Sequence, residues 1–310
     1  MKIVFCGTPE FAVPTLRAVV AAGHDVRLVV TQPDRGVGRG LVMQAPPVKV
    51  AAQGLGISVV QPEKIKNNLE FRAQLEEIRP DVILVVAYGR IVPDWMLALP
   101  PFGNINLHGS LLPKYRGAAP IQWAVANGET HTGVTSMLLE AGLDTGPMLL
   151  AQVVPIAEEE TSEDVFEGLA AVGAELIVKT LQGLEDGSVQ PIAQNHALAT
   201  LAPILKREDG LVDFSRPAKV IYDRWRGFQP WPGAYTFLRG KKLILSRLRV
   251  AEGMDGQVGN VVVEGGRLLV ICGERTSIEL VEVQMEGKKR MTASEFLRGY
   301  QIKTGEQVGQ

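Results

Sequence analysis

Short apolar runs separated by helix-compatible stretches fill roughly the first 190 residues, and they constrain the fold more than any other feature of the chain. Lys2-Ile3-Val4-Phe5-Cys6 is continuously apolar after its lysine and closes on Gly7. Further runs of strand length lie at 26–31, 81–86, 104–107 and 134–139. Continuous rather than alternating hydrophobicity predicts strands buried on both faces, as in a parallel sheet. The intervening stretch 10–22 reads as a helix, with Pro14 tolerable only near its first turn and Gly23 as its stop. A long helix is predicted over 162–184. Strands alternating with helices imply α/β architecture: a Rossmann-like, mostly parallel sheet with helices on both faces.

From Lys206 the texture changes to short β-type runs broken by glycines, at 235–238, 243–250, 257–263, 267–271 and 277–283. That pattern predicts a small antiparallel barrel. The expected organisation is therefore a first domain over 1–190, a polar linker over 191–205 and a second domain over 206–310, with fraying from Lys303 onward. Charge follows the same division. The second part holds 18 basic against 13 acidic residues, the first 14 against 21. A basic second domain suits a polyanionic partner, and ordinary surface variation explains the imbalance equally well.

A hydrophobic fraction of 46% with 21% charged residues is the balance of a soluble globular chain. The two cysteines, Cys6 and Cys272, sit in separate apolar stretches and read as small buried hydrophobes in a reducing compartment. No Cys/His spacing suggests zinc. The N-terminal apolar run is too short for a signal peptide, and no run approaches a membrane span. The expectation is a cytoplasmic monomer.

Three residues carry the chemistry: Asn106, His108 and Asp144. The first two lie two apart at the end of a predicted strand, so their side chains share a face. In a parallel α/β sheet the carboxyl ends of strands form the site edge, and Asp144 follows the 134–139 strand closely enough to return to it. An Asn in a parallel strand must be satisfied or functional. Together the amide can donate to a developing oxyanion, the imidazole can handle a proton, and the carboxylate can orient the imidazole. This is equipment for acyl transfer without a metal or a covalent intermediate.

Other readings fall away. Gly7-Thr8-Pro9-Glu10 lacks the later glycines of a dinucleotide fingerprint, and no Walker pattern is present. Ser110 has no nucleophile elbow around it and reads as a loop-shaping residue. His24, His131 and His196 read as solvated bystanders. Lys114-Tyr115-Arg116-Gly117 could hold an anionic substrate tail or shape a pocket wall.

The run Asn106-Leu107-His108-Gly109-Ser110-Leu111-Leu112-Pro113-Lys114-Tyr115-Arg116-Gly117, with Leu143-Asp144-Thr145-Gly146-Pro147, resembles the 10-formyltetrahydrofolate-dependent formyltransferases. Three further stretches resemble the branch of that family acting on methionyl-tRNA. These are Phe5-Cys6-Gly7-Thr8-Pro9-Glu10-Phe11-Ala12, the loop from Gln32 to Gly40, and Gly227-Phe228-Gln229-Pro230-Trp231-Pro232-Gly233-Ala234. The resemblance covers essentially the whole chain and implies an OB-like second domain that binds tRNA. It implies formyl transfer from 10-formyltetrahydrofolate to the α-amine of initiator methionyl-tRNA, with Asn106, His108 and Asp144 as catalytic residues and no metal.

For the folate, the resemblance places Ser110, Leu111, Leu112 and Pro113 along the ligand. Val86, Ala87, Tyr88, Gly89 and Ile91, after the neighbouring strand, suit a flat apolar slot. For tRNA it implies Arg35 and Arg39 of the loop, with Lys206, Lys241, Lys242, Lys288, Lys289 and Arg290 as phosphate contacts. A sugar-nucleotide amine formyltransferase would share the trio without needing the loop, and a non-catalytic tRNA-binding protein would keep it only as structure.

Overall fold

The computed structural model describes residues 1–37 and 42–309. They form two compact units. The first comprises Met1–Pro120, His131–Pro155 and Phe166–Pro203; the second comprises Ile121–Thr130, Ile156–Val165 and Ile204–Gln310.

The strands of the first unit are β1 (Lys2–Gly7), β2 (Asp25–Val30), β3 (Arg35–Val37), β4 (Val42–Gln44), β5 (Val59–Val60), β6 (Val82–Val86), β7 (Asn104–His108), β8 (His131–Leu138) and β9 (Met148–Pro155). Its helices are α1 (Val13–Ala21), α2 (Pro47–Gly54), α3 (Leu69–Ile78) and α4 (Asp94–Leu97). Helices α5 (Pro120–Ala126) and α6 (Ser162–Glu185) begin in one unit and end in the other. Seven strands make one sheet in the order β5-β2-β1-β6-β7-β8-β9. Pairing is parallel from β5 to β7 and antiparallel beyond it.

The continuous apolar runs are the inner strands. Ile3, Val4, Phe5, Cys6, Val82, Ile83, Leu84 and Val86 are fully buried, and each such aliphatic side chain contributes about 1.5–3 kcal/mol by leaving water. One sheet face, with Val4, Cys6, Ile83 and Val85, packs on Phe71 and Leu75 of α3 and Met96 of α4. The other meets α6. A Cβ on Gly173 of that helix would come within 2.6 Å of the Leu107 side chain, so the missing side chain is what lets α6 lie against β7. Asn106 and His108 therefore point away from α6. Gly7 has a comparable packing reason, since a Cβ there would meet the Phe5 ring at 2.8 Å and Ala12 at 2.9 Å.

Helix ends follow local chemistry. Pro14 occupies the first turn of α1, where its missing N–H costs nothing. Asn68 caps α3 by accepting from Phe71 N at 3.0 Å.

Two local expectations change. The loop after β2 is not wholly irregular, because Arg35–Val37 pairs antiparallel with Val42–Gln44. Arg39 lies outside the described residues. Residues 191–203 are also more than a linker: Ile192 exchanges backbone bonds with Met148, and Thr200 and Ala202 bond the backbone of Arg116.

The second unit contains α7 (Ala218–Gly227), β10 (Tyr235–Leu238), β11 (Lys241–Ala251), β12 (Val261–Glu264), β13 (Arg267–Ile271), β14 (Ser277–Met285), β15 (Met291–Thr292) and α8 (Ala293–Tyr300). An antiparallel half-barrel runs β10-β11-β14-β13-β12, with β15 on β14. Its core holds Leu243, Leu245, Val270, Ile278, Leu280 and Phe296. The C-terminal residues are not frayed. Val308 bridges Leu238, and Gln307 bridges Asn260, so the end of the chain spans from β10 to the entry of β12.

Candidate active site

Strand β7 ends at His108 and carries all three of its polar side chains on one face. Asn104 is buried, and its amide donates to the carbonyls of Met96 at 3.0 Å and Leu97 at 3.1 Å. It is committed to holding α4. Asn106, one step nearer the carboxyl end, is only half-buried, and its amide makes no side-chain hydrogen bond among the described residues. The residue nearer the site edge is thus the one left able to donate.

His108 is 5% exposed. Its Nε2 lies 2.9 Å from the carbonyl oxygen of Tyr115. A carbonyl only accepts, so Nε2 carries a hydrogen. Nδ1 then faces Asp144 Oδ2 at 3.7 Å, an ion-pair contact longer than a hydrogen bond. The same Oδ2 accepts from the backbone N–H of Gly117 at 2.8 Å. The run Tyr115–Gly117 thus touches both partners: its carbonyl orients the ring, and its amide orients the carboxylate.

The turn after β7 is closed from within. Ser110 Oγ donates to the carbonyl of Lys114 at 2.7 Å and is fully buried. Thr135 Oγ1 on β8 donates to the Ser110 carbonyl at 2.7 Å and accepts from Leu112 N at 3.2 Å. Ser110 is a loop-shaping residue, as its lack of an elbow predicts.

The residues expected along the folate divide by exposure. Val86, Tyr88, Ser110 and Leu112 are buried, Leu111 and Pro113 are half-exposed, and Ala87, Gly89 and Ile91 are exposed. The Tyr88 ring packs in the sheet core, and its carbonyl accepts from Thr8 Oγ1 at 3.1 Å and Gln32 Nε2 at 3.0 Å. Burial pushes its phenol well above the ordinary range. The flat slot expected of this segment would therefore have to come from its neighbours.

Arg35 is exposed and donates to Gln32 Oε1 at 3.0 Å. Lys206, Lys241, Lys288, Lys289 and Arg290 are exposed on the second unit. Lys242 is half-buried over the Tyr235 ring, 3.7 Å from its centre, and burial lowers its pKa, with Arg207 adding to the effect.

Sequence reading missed Gln194, while His196 is exposed as expected and also meets Arg116. Gln194 is buried and bonded to Arg116, and His196 Nδ1 lies 2.9 Å from the same guanidinium. Arg116 belongs to the motif and signals itself, but nothing in the polar stretch around Gln194 does. No group of His, Cys, Asp or Glu among the described residues could hold a metal ion. No helix among them is long and apolar enough to cross a membrane.

An amide, an imidazole and a carboxylate at the carboxyl edge of an α/β sheet are residue types suited to group transfer. Residues 1–181 match the formyl transferase family, and residues 204–301 match the formyl transferase C-terminal domain. The chain belongs to the formyl transferase family. Its relatives include the methionyl-tRNA formyltransferase of Acidobacterium capsulatum, 64% identical over 96% of each chain. That of Koribacter versatilis is 58% identical over 100% of this chain and 99% of its own. Among solved structures, an N-formyltransferase from Helicobacter canadensis, in complex with folinic acid and dTDP-3-aminofucose, has a TM-score of 0.66 at 19% identity. It covers 92% of this chain and 99% of its own, and at that identity the likeness speaks to fold.

Proposed function

We propose that this chain transfers the formyl group of 10-formyltetrahydrofolate to the α-amine of methionyl-initiator tRNA, using Asn106, His108 and Asp144. The observation that carries the chemistry is the contrast on β7: Asn104 is spent on α4, whereas Asn106 keeps its donors. Relatives at 64% and 58% identity over nearly the full chain support the acceptor.

The amine attacks in its neutral form, and a free α-amine titrates at about 7.7–8.0, so much of it is available near neutrality. Its nitrogen bonds to the formyl carbon, and the carbonyl oxygen becomes an oxyanion. The Asn106 amide and the Nδ1 edge of His108 are the donors for that charge, because Nε2 is already held by Tyr115. Asp144 balances the imidazolium and supplies the route by which the amine loses its proton. Collapse breaks the bond from the formyl carbon to N10 of the folate, which takes a proton as it leaves. No covalent enzyme intermediate forms.

The described arms of the 32–44 hairpin and the basic groups of the second unit are the tRNA contacts in this reading, and Ala87, Gly89, Ile91, Leu111 and Pro113 are the accessible folate contacts. Phosphate contacts of that kind make tRNA binding fall steeply with salt. The test is formyl transfer from labelled 10-formyltetrahydrofolate to charged initiator tRNA, free methionine and a dTDP-linked amino sugar. Transfer to the tRNA alone supports the reading. Transfer to the amino sugar alone replaces it, and transfer to none makes the trio structural.

A further inference from the structure

We infer that Gln194 is a positioning residue, which sets Asp144 opposite His108 and is itself held by the buried guanidinium of Arg116; this rests on the proposed place of Asp144 in the reaction. Asp144 stands at φ +48°, a left-handed conformation that Asp enters more readily than most residues and that still needs its turn to be held. The residues before it, Gly142 and Leu143, are exposed and offer no such hold. On one side Leu138 N donates to the Pro147 carbonyl at 2.9 Å, and on the other the turn is held by Gln194. Its Nε2 donates one hydrogen to the Asp144 carbonyl at 2.9 Å and the other to the Gly146 carbonyl at 2.7 Å. Both ends of the turn are thereby fixed by one side chain.

The amide is held in a single orientation. Its Oε1 accepts from Arg116 Nε at 3.1 Å and Nη2 at 2.6 Å, so the oxygen faces the fork and the nitrogen must face the turn. A flipped amide would set two donors against guanidinium donors and an acceptor against two carbonyls. Arg116 is 7% exposed, and its guanidinium also meets His196 Nδ1 at 2.9 Å. No carboxylate lies within ion-pair distance of it among the described residues. A buried cation without a counter-ion is costly as a stability device. Here it does what a neutral donor could not, fixing the amide by two directed bonds.

The arrangement is closed. Arg116 N and O are tied to Thr200 and Ala202, and Gly117 N holds the Asp144 carboxylate. The 191–203 segment therefore reaches Asp144 twice, through its backbone by way of Gly117 and through Gln194 directly. The chemistry predicts that the segment governs turnover and not substrate affinity.

Gln194→Glu separates positioning from structure. A carboxylate still accepts from Arg116, now as an ion pair, but cannot donate to the carbonyls of Asp144 and Gly146. The expected result is a kcat for formyl transfer lower by roughly 10²-fold, the scale of a small misplacement at a reacting group. KM for folate and tRNA should hold near the parent values, with kcat taken per folded molecule, since the bonds lost to the two carbonyls and the ion pair gained with Arg116 oppose each other in stability. Gln194→Met, which also strips Arg116 of its partner, should lower both kcat and melting temperature. A parent-level kcat in Gln194→Glu overturns the inference, as does a loss of kcat matched by loss of folded protein. Asp144→Asn is measured alongside. If it loses kcat and Gln194→Glu does not, the clamp alone fails; if it keeps kcat, the trio fails and the clamp with it.

Discussion

The imidazole of His108 turns Nε2 to the Tyr115 carbonyl at 2.9 Å, and this leaves Nδ1, 3.7 Å from Asp144 Oδ2, as the ring nitrogen that faces the carboxylate. Asp144→Asn keeps an acceptor for the Gly117 N–H but removes the charge facing that nitrogen. The expected loss is ~10²–10⁴ in kcat, the range of positioned proton-transfer groups, with a melting temperature close to the parent's. Steady-state kinetics together with a thermal melt check it, and a kcat within twofold of the parent contradicts the assignment.

Asn104 and Asn106 share a strand face but differ in what their amides are bonded to. Asn104→Ala takes a donor from the Met96 carbonyl, which keeps Leu99 N at 3.4 Å, and leaves the Leu97 carbonyl without its partner, a cost of about 1–3 kcal/mol. Chemical denaturation should show that loss, while kcat per folded molecule stays near the parent value. A kcat drop without destabilisation would mean that Asn104 takes part in the reaction.

Leu84 sits at the centre of β6 with no exposed surface. Truncation to Ala should cost ~2–5 kcal/mol by the transfer and cavity terms together. The denaturation midpoint measures this directly, and a cost below about 1 kcal/mol would show that this strand is not the centre of the core.

Asp34 begins the hairpin loop and is tied to Lys49 Nζ at 2.8 Å and Gln61 Nε2 at 2.7 Å. Its pKa is lowered by the Lys49 bond first and the Gln61 bond second. A depressed carboxylate stabilises the fold fully above its ordinary value and loses that contribution as pH falls through the lower folded value. The stability difference between the parent and Asp34→Asn should therefore be constant near neutrality and shrink below about pH 4. A difference that grows on acidification would contradict the pairing.

Much of this architecture was legible because it depends on local pattern. The runs at 2–6 and 81–86 are apolar on both faces, and they became β1 and β6 at the middle of the sheet. The alternation of Asn106 and His108 fixed their common face. What stayed hidden is long-range pairing between polar segments, which carries no periodicity. Gln194 meets Asp144 across 50 residues, from a stretch whose composition is that of a connector. The C-terminal residues looked frayed for the same reason, since bridges from Val308 and Gln307 depend on where β10 and β12 end. Arg35 and its pairing partner Gln44 were likewise separated by a glycine-rich stretch that gives no strand signal.

That C-terminal pairing has its own test. The amides of Val308 and Gly309 donate to the carbonyls of Gly259 and Phe237, both at 2.9 Å. Hydrogen exchange should protect them well above the rate of a free chain end. Exchange at the unprotected rate would return residues 303–309 to a frayed tail.

The most direct test of the central claim, that an amide free on β7 stabilises the oxyanion of formyl transfer, is the single-turnover rate of Asn106→Ala. With saturating 10-formyltetrahydrofolate and charged initiator tRNA, the rate should fall ~10²–10³-fold, the usual loss for one oxyanion donor, with both substrates still bound. A rate within a few-fold of the parent would contradict it.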